Sequence, residues 1–369
     1  MQFSCDTHAL ADAVGVVQRA VSSKSSLPAL EGILLRADGS TVSLSAYDLE
    51  VGMFASIEGQ IRESGDIVLN AKLFSDMVRK LPADRVDIRT DEKLMTSVTS
   101  GAAEFTILGI PAGEFPELPA LTDGTRLQLP ENLLSSMIRQ TSFAISDDDS
   151  KPVHTGSLFE VTADTLRVVS VDGFRLAIRT EKIKDGADLH FVVPGKTLNE
   201  IFKMLSPDSD ELITLSVGQK HALFEIHGYS VISRLLEGEF LDYRSVLGGP
   251  CDTEVKVSVR DFLGSVDRAS LLISDRLKSP VRCVFGPESI KVRCTTSIGR
   301  AFDEIPAALK GHSFEMGFNN RYLLDALKAT DCDEVRLCLN GPLSPMKIYP
   351  PEGDSFIFLV LPVRLKADE

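Results

Sequence analysis

The chain has 369 residues, enough for two or three domains that each hold a core. A hydrophobic fraction of 43% and a charged fraction of 25% are ordinary for a folded protein. A formal charge of −14 argues against coating nucleic acid by bulk attraction, but not against positive charge gathered on one surface.

The longest apolar run, "FIFLVLPV" at 356–363, is too short to span a bilayer. The leading "MQFSCDTHAL" lacks the basic cap and apolar core of a signal peptide. Six scattered cysteines with no C-x-x-C predict neither a disulfide framework nor a zinc knuckle, so a reducing cytoplasm is the expected setting.

The first predicted elements lie in "FSCDTHALADAVGVV" (3–17): a β-like lead, a polar break, then apolar residues at helical spacing. Alternating stretches such as "TVSLSAYDLEVGMFASI" (41–57) follow and read as strands. "IVLNAKLFSDMVRKL" (67–81) returns to strand, break and helix, with Phe74, Met77, Val78 and Leu81 at i, i+3, i+4 and i+7. The order then starts again. "LQLPENLLSSMIRQT" (127–141) matches the first segment, and "LRVVSVDGFRLAIRT" (166–180) supplies strands with a turn at Asp172-Gly173. "FVVPGKTLNEIFKML" (191–205) matches the second segment, its stripe being Leu198, Ile201, Phe202 and Leu205. More strands follow in "HALFEIHGYSVISRLLEG" (221–238). A third round has "VKVSVRDFLGSVDRA" (255–269) and "FEMGFNNRYLLDALKAT" (314–330). Leu10, Leu134 and Phe262 take matching places across the three rounds, as do Val14, Ile138 and Val266.

Self-similarity at offsets of about 124 to 128 residues predicts three like domains, each α+β with two helices on one face of antiparallel sheets. The turn-rich joins "LPALTDGTR" (118–126) and "LGGPCDTE" (247–254) place them at 1–122, 123–250 and 251–369.

Gly195-Lys196-Thr197 looks like the end of a phosphate-cradling loop, whose amides require a glycine five residues earlier. That position is His190, and the other two copies of this turn carry no GKT. The tripeptide therefore reads as one copy of a strand-to-helix turn. A nucleotide-using enzyme built on Lys196 stands as the competing reading, and a peptide-binding scaffold that never meets DNA as a third.

The helix after each second break carries basic residues seven apart: Lys72 and Arg79, Lys196 and Lys203, Arg321 and Lys328. At about 100° per residue both members of each pair point away from the apolar stripe. Asp76, Glu200 and Asp325 share that face, so a solvated face laced with charge pairs is the plain alternative. Should the three domains curve with their helices inward, the ridges would line one concave surface.

"LPALEGILL" (27–35), "SAYDLEVGM" (45–53), "SVDGFRLAI" (170–178), "LLEGEFLDYRSVL" (235–247) and "LVLPVRL" (359–365) resemble the bacterial DNA sliding clamp family, the beta subunit of DNA polymerase III. The resemblance covers essentially the whole chain. It implies a head-to-tail homodimer whose six domains form a ring, with helices lining a hole for double-stranded DNA. The channel would carry Lys72, Arg79, Lys80, Lys196, Lys203, Arg321 and Lys328, with Lys24 on a loop. A ring held by topology needs only weak, non-specific contacts.

The resemblance places one side of the dimer interface at Met77, Leu81, Phe105 and Ile107, and the other at Leu271 and Leu272. Leu271-Leu272-Ile273 at a helix end cannot all face one core, which fits a partner surface; ordinary core competes for Met77 and Leu81. It also implies a groove for a short partner peptide, formed by Gly173, Phe174, Arg175, Leu176, Leu241, Val246, Tyr322, Met346, Leu359, Leu361, Pro362, Val363 and Arg364. There apolar side chains would supply burial, while Arg175 or Arg364 would hold a polar end of the peptide. Without the resemblance, most of these positions read as core. Ser245 and Pro345 stand where relatives have arginine and serine, and residues 366–369 run past the usual terminal leucine. Asp147-Asp148-Asp149 reads as a solvated turn.

The six histidines form no H-E-x-x-H or comparable pair, and no serine sits in G-x-S-x-G. The expectation is a processivity factor without catalytic residues, metal or cofactor. Its partners would be the replicative polymerase, a clamp loader and other clamp-binding proteins, with no membrane.

Overall fold

In a computed structural model, which describes residues 1–22, 25–121, 123–184, 186–274 and 279–365, four of the six predicted polar breaks carry helix caps. Asp6 accepts the Ala9 N–H at 2.8 Å to start α1 (Thr7–Val17), and Asn70 accepts the Leu73 N–H at 3.0 Å to start α2 (Ala71–Val78). Pro130 and Pro194 stand directly before α3 (Glu131–Thr141) and α4 (Gly195–Phe202). A short α5 (Tyr243–Leu247) follows. Ser258 then caps α6 (Val259–Ser270) and Asn319 caps α7 (Asn320–Ala329). Each such side-chain acceptor contributes about 1 kcal/mol by satisfying an otherwise orphaned N–H.

The matched apolar positions point inward in all three rounds: Leu10, Leu134 and Phe262, then Val14, Ile138 and Val266, are at most 1% exposed. In the second helix of each round Phe74 and Val78, Leu198 and Ile201, and Leu323 and Leu327 are buried likewise. α2 stops at Val78, so Leu81, expected on its stripe, lies in the turn beyond and is half-buried.

The chain divides into two compact units, and the division runs through the expected middle domain. The first holds Met1–Glu131 and Lys203–Leu235. Its sheet runs Ala103–Leu108, Met95–Ser100, Arg85–Thr90, Gln2–Asp6 and Val51–Glu63. It continues through Tyr229–Arg234, His221–Ile226 and Leu212–Val217 to Thr125–Pro130. The long strand Val51–Glu63 joins the two halves, pairing with Gln2–Asp6 near its end and with Tyr229–Arg234 near its start.

The second unit holds Asn132–Phe202 and Leu236–Glu369. Its sheet runs Leu189–Pro194, Gly156–Val161, Thr165–Val171, Arg175–Lys182, Phe356–Val360 and Met346–Tyr349. It continues through Glu334–Leu339, Thr253–Ser258, Gly299–Lys310, Ser289–Thr296 and Val281–Phe285 to Phe314–Phe318. Here α6 and α7 pack together, and Phe262, Val266, Leu323 and Leu327 share one core with Phe285, Met316 and Phe318. The pairings among described strands are antiparallel throughout, giving an α+β fold.

Two sequence expectations meet particular answers here. Cys251 and Cys338 form a disulfide with Cα atoms 5.4 Å apart, although the cysteine spacing predicted no disulfide framework. The pairing of Thr253–Ser258 with Glu334–Leu339 brings them together, and spacing alone cannot reveal that adjacency. Second, a Cβ on Gly195 would meet Ile145 and the Thr155 carbonyl at 3.1 Å, and Thr197 is fully buried. Close packing accounts for the glycine, and the threonine hydroxyl faces the interior.

Candidate functional site

The helical cations come first, because their placement follows directly from the buried stripes. Lys72, Arg79 and Lys80 on and just beyond α2, Lys196 and Lys203 on and just beyond α4, and Arg321 and Lys328 on α7 are all exposed. Lys72 pairs with Asp76 at 3.4 Å, with the two side chains 90% and 54% exposed. Such a solvated pair holds little energy, so the ammonium can turn to a phosphate at little cost. Lys24 lies outside the described residues. Asp147, Asp148 and Asp149 are exposed, and the Ser150 N–H donates to Asp148 at 2.9 Å, the geometry of a solvated turn.

The residues expected to form the groove all lie within the second unit. Arg175 pairs across the sheet with Val360, and Leu176 with Leu359. The Leu361 N–H donates to the Phe174 carbonyl at 2.9 Å, and the Val363 N–H to the Gly317 carbonyl at 2.8 Å. The segment 356–363 is thereby stitched first to one strand and then to another. Gly173 has φ of 89°, a left-handed conformation that suits glycine, and Asp172 accepts the N–H groups of Phe174 and Arg175. This turn projects Phe174 outward, 57% exposed, and its ring stacks on Tyr322 at 5.9 Å.

α5 closes the other side. Phe240 and Tyr243 are buried in one cluster with Leu176 and Leu359, against which Leu361 packs half-buried. The Tyr243 hydroxyl donates to Glu160, which also pairs with Arg244 at 2.8 Å and Arg167 at 3.4 Å. Burial, with the bond to Glu160, pushes the Tyr243 phenol up to about 12. Burial opposes ionisation of Glu160, but the hydrogen bonds from Tyr243 and Arg244 and the two arginine charges hold its carboxyl below the usual range. The Lys347 ammonium donates to the Leu247 carbonyl at 2.7 Å and anchors the end of α5; burial holds its pKa below the ordinary lysine value. So fixed, α5 leaves Leu241 and Val246 exposed.

The expected groove set therefore splits. Phe174, Leu241, Val246 and Val363 are exposed apolar side chains, Tyr322, Leu361 and Pro362 are half-buried, and Arg364 is exposed. Leu176, Met346 and Leu359 are at most 2% exposed and belong to the core beneath, as the plain reading of them had it. Arg175 bonds Asp172 at 2.8 Å and Asp325 at 2.5 Å and lies 4.6 Å over the Tyr322 ring. Its charge is met within the chain, which leaves Arg364 as the exposed cation of the set.

The residues expected at the interface lie on one edge strand and around the ends of two helices. Phe105 and Ile107 share one face of Ala103–Leu108, a strand that pairs on one side only among the described residues. Ile107 is 7% exposed and mostly covered, while Phe105, Met77 and Leu81 are half-buried. In the second unit Leu271 is 82% exposed and Leu272 half-buried. Strand Gly299–Lys310 pairs with Ser289–Thr296 along its first part, but with Thr253–Ser258 only at 307–310. Among the described residues, 299–306 thus pair on one side only, with Phe302 on this stretch 62% exposed and Ile298 just before it 69% exposed. Sequence reasoning missed both; the available signal was an apolar residue on the solvent phase of a charged strand.

Antiparallel α+β units built from a repeated strand–cap–helix segment, with exposed cations on the helices, define a DNA-clamp class of fold. Comparison with known proteins narrows the class. Residues 1–119, 128–242 and 244–364 match the N-terminal, central and C-terminal domains of the DNA polymerase III beta subunit. The chain is 34% identical to the beta sliding clamp of Bacillus subtilis (strain 168), over 99% of this chain and all of that one. The crystal structure of the DNA polymerase sliding clamp from Bacillus subtilis superposes with a TM-score of 0.95 at 33% identity, covering 99% of this chain and 100% of that one. The beta subunit from DNA polymerase of Streptococcus pyogenes gives 0.93 at 26% identity with the same coverage. The chain belongs to the DNA polymerase III beta subunit family, the bacterial beta sliding clamps. No described helix is long and apolar enough to cross a membrane.

Proposed function

We propose that two copies of the chain close head to tail into a ring around double-stranded DNA and tether the replicative polymerase to its template. Each copy contributes three domains, 1–122, 123–250 and 251–369. The open apolar edge at Ala103–Leu108 meets the Leu271, Leu272 and 299–306 edge of the other copy, a heterologous contact that closes after two repeats. The observation that carries the reading is the position of the helical cations: seven described lysines and arginines stand exposed opposite buried stripes in a chain of net charge −14. Loose phosphate contacts from these side chains suit sliding, and the acidic remainder discourages DNA elsewhere.

The protein works in the cytoplasm as a non-catalytic factor, without a cofactor. The exposed rim of Phe174, Leu241, Val246 and Val363 receives the clamp-binding peptides of the polymerase, the loader and other replication and repair proteins. The buried Thr197 and close-packed Gly195 weigh against the nucleotide-using alternative. The test is primer extension on a singly primed circle with polymerase and loader: adding this protein lengthens products made in one binding event. Unchanged product length, or micromolar ATP binding abolished by Lys196→Ala, contradicts the proposal.

A further inference from the structure

Outside these surfaces, one cluster in the first unit combines a histidine with two carboxylates. Glu131 opens α3 and is 1% exposed. Its Oε2 accepts the Ser206 N–H at 2.9 Å, and its backbone N–H donates to the Glu211 carbonyl at 2.9 Å. Glu131 and Glu211 are thus locked in register. His227 occupies the two-residue turn between strands His221–Ile226 and Tyr229–Arg234, at φ of 50°, with Gly228 at 79°. Asparagine or glycine suits such a turn better, so the turn alone does not explain an imidazole there.

The His227 Nε2 lies against Glu131 Oε1 and 3.9 Å from Glu211 Oε2. One donor atom from each residue falls within 4.8 Å of the other two, the one such His/Cys/Asp/Glu group among the described residues. The burial of that oxygen points to a ligand: apart from its close contact with the His227 Nε2, Glu131 Oε1 accepts no hydrogen bond. A buried carboxylate oxygen left that way is costly, and a cation would satisfy it.

We propose that Glu131, Glu211 and His227 form a binding site for a divalent transition-metal ion. One imidazole nitrogen and two carboxylates are a mixed N/O set of the kind that Zn²⁺ and Mn²⁺ accept, whereas Mg²⁺ and Ca²⁺ favour oxygen alone. His227 and Glu211 side chains are 41% and 76% exposed, which gives an ion entry and leaves positions for water. The Ser206 and Glu211 backbone bonds would hold the buried ligand in orientation, as outer-shell contacts do in metal sites. An ion there would tie the start of α3 to the hairpin tip and to the approach of strand Leu212–Val217. This site is independent of the ring.

The test is calorimetric titration of chelator-treated, full-length protein with ZnCl₂, paired with thermal unfolding. The expected result is one saturable site per chain, with a midpoint raised by a few degrees. His227→Gln should abolish both effects and Glu211→Gln weaken binding at least tenfold. Both residues reach solvent, so far-UV circular dichroism should remain that of the parent. A Co²⁺ spectrum without a sulfur charge-transfer band excludes the cysteines as ligands. No saturable binding, or equal binding by parent and both variants, overturns the proposal and leaves a His–Glu ion pair alone.

Discussion

Leu271→Ala isolates the proposed ring-closing contact because its side chain does little for the folded chain. Leu271 is 82% exposed, so truncation leaves almost no cavity and little lost burial within one copy. In the proposed ring the side chain becomes buried. Fully burying a leucine contributes about 1.5–3 kcal/mol, so covering the exposed four-fifths contributes roughly 1.2–2.5 kcal/mol. A head-to-tail dimer has two such interfaces, so the variant loses about 2.5–5 kcal/mol per dimer, roughly two to three and a half powers of ten in the dissociation constant. Sedimentation equilibrium across a dilution series reads that shift directly. Far-UV circular dichroism should not change, and the monomer mass should dominate at concentrations where the parent is dimeric. An unchanged dissociation constant would remove Leu271 from the interface; loss of the folded spectrum would return it to the core.

Replacing Lys72 and Arg79 with alanine should leave the unfolding midpoint within about a degree and weaken binding to short linear duplex DNA, since both side chains are exposed. The salt slope of that linear-DNA binding should flatten by about 0.9 for each phosphate contact removed. Phe174→Ala with Val246→Ala should weaken a fluorescent clamp-binding peptide by tenfold or more in anisotropy titrations without changing the dimer mass. Alkylation of the denatured, unreduced protein should add four labels, at Cys5, Cys283, Cys294 and Cys332; reduction first should raise the count by the disulfide pair. Burial first, then the nearby Lys151 charge, holds His154 below the ordinary histidine value of 6.5. The unfolded chain therefore binds this proton first as pH falls, and stability declines below about pH 6.5. His154→Gln should flatten that decline in denaturant titrations.

Much of the fold was legible because its signals are local. Capping side chains at Asp6, Asn70, Ser258 and Asn319 sit next to the helices they start, and 3.6-residue spacing marked Phe74, Leu198 and Ile201 as core. The exposure of the helical cations followed from the same geometry. Strand register was less legible. Whether Leu176, Met346 and Leu359 face a groove or a core depends on the pairing of Leu176 with Leu359 and of Met346 with Val360. Period-2 alternation gives two faces without saying which is covered. Arg175 could not be recognised as already paired because Asp325 lies 150 residues away. The open edge at 299–306 and the grouping of Glu131 with His227 likewise depend on neighbours that only the folded sheets supply.

Topological holding is tested most directly by loading the labelled protein onto a nicked plasmid, removing free protein, and linearising half of the sample. The ring account predicts retention on the closed circle and rapid loss on cutting, with little dependence on salt before the cut. Equal retention on circle and linear DNA would mean that the chain grips the duplex instead of encircling it.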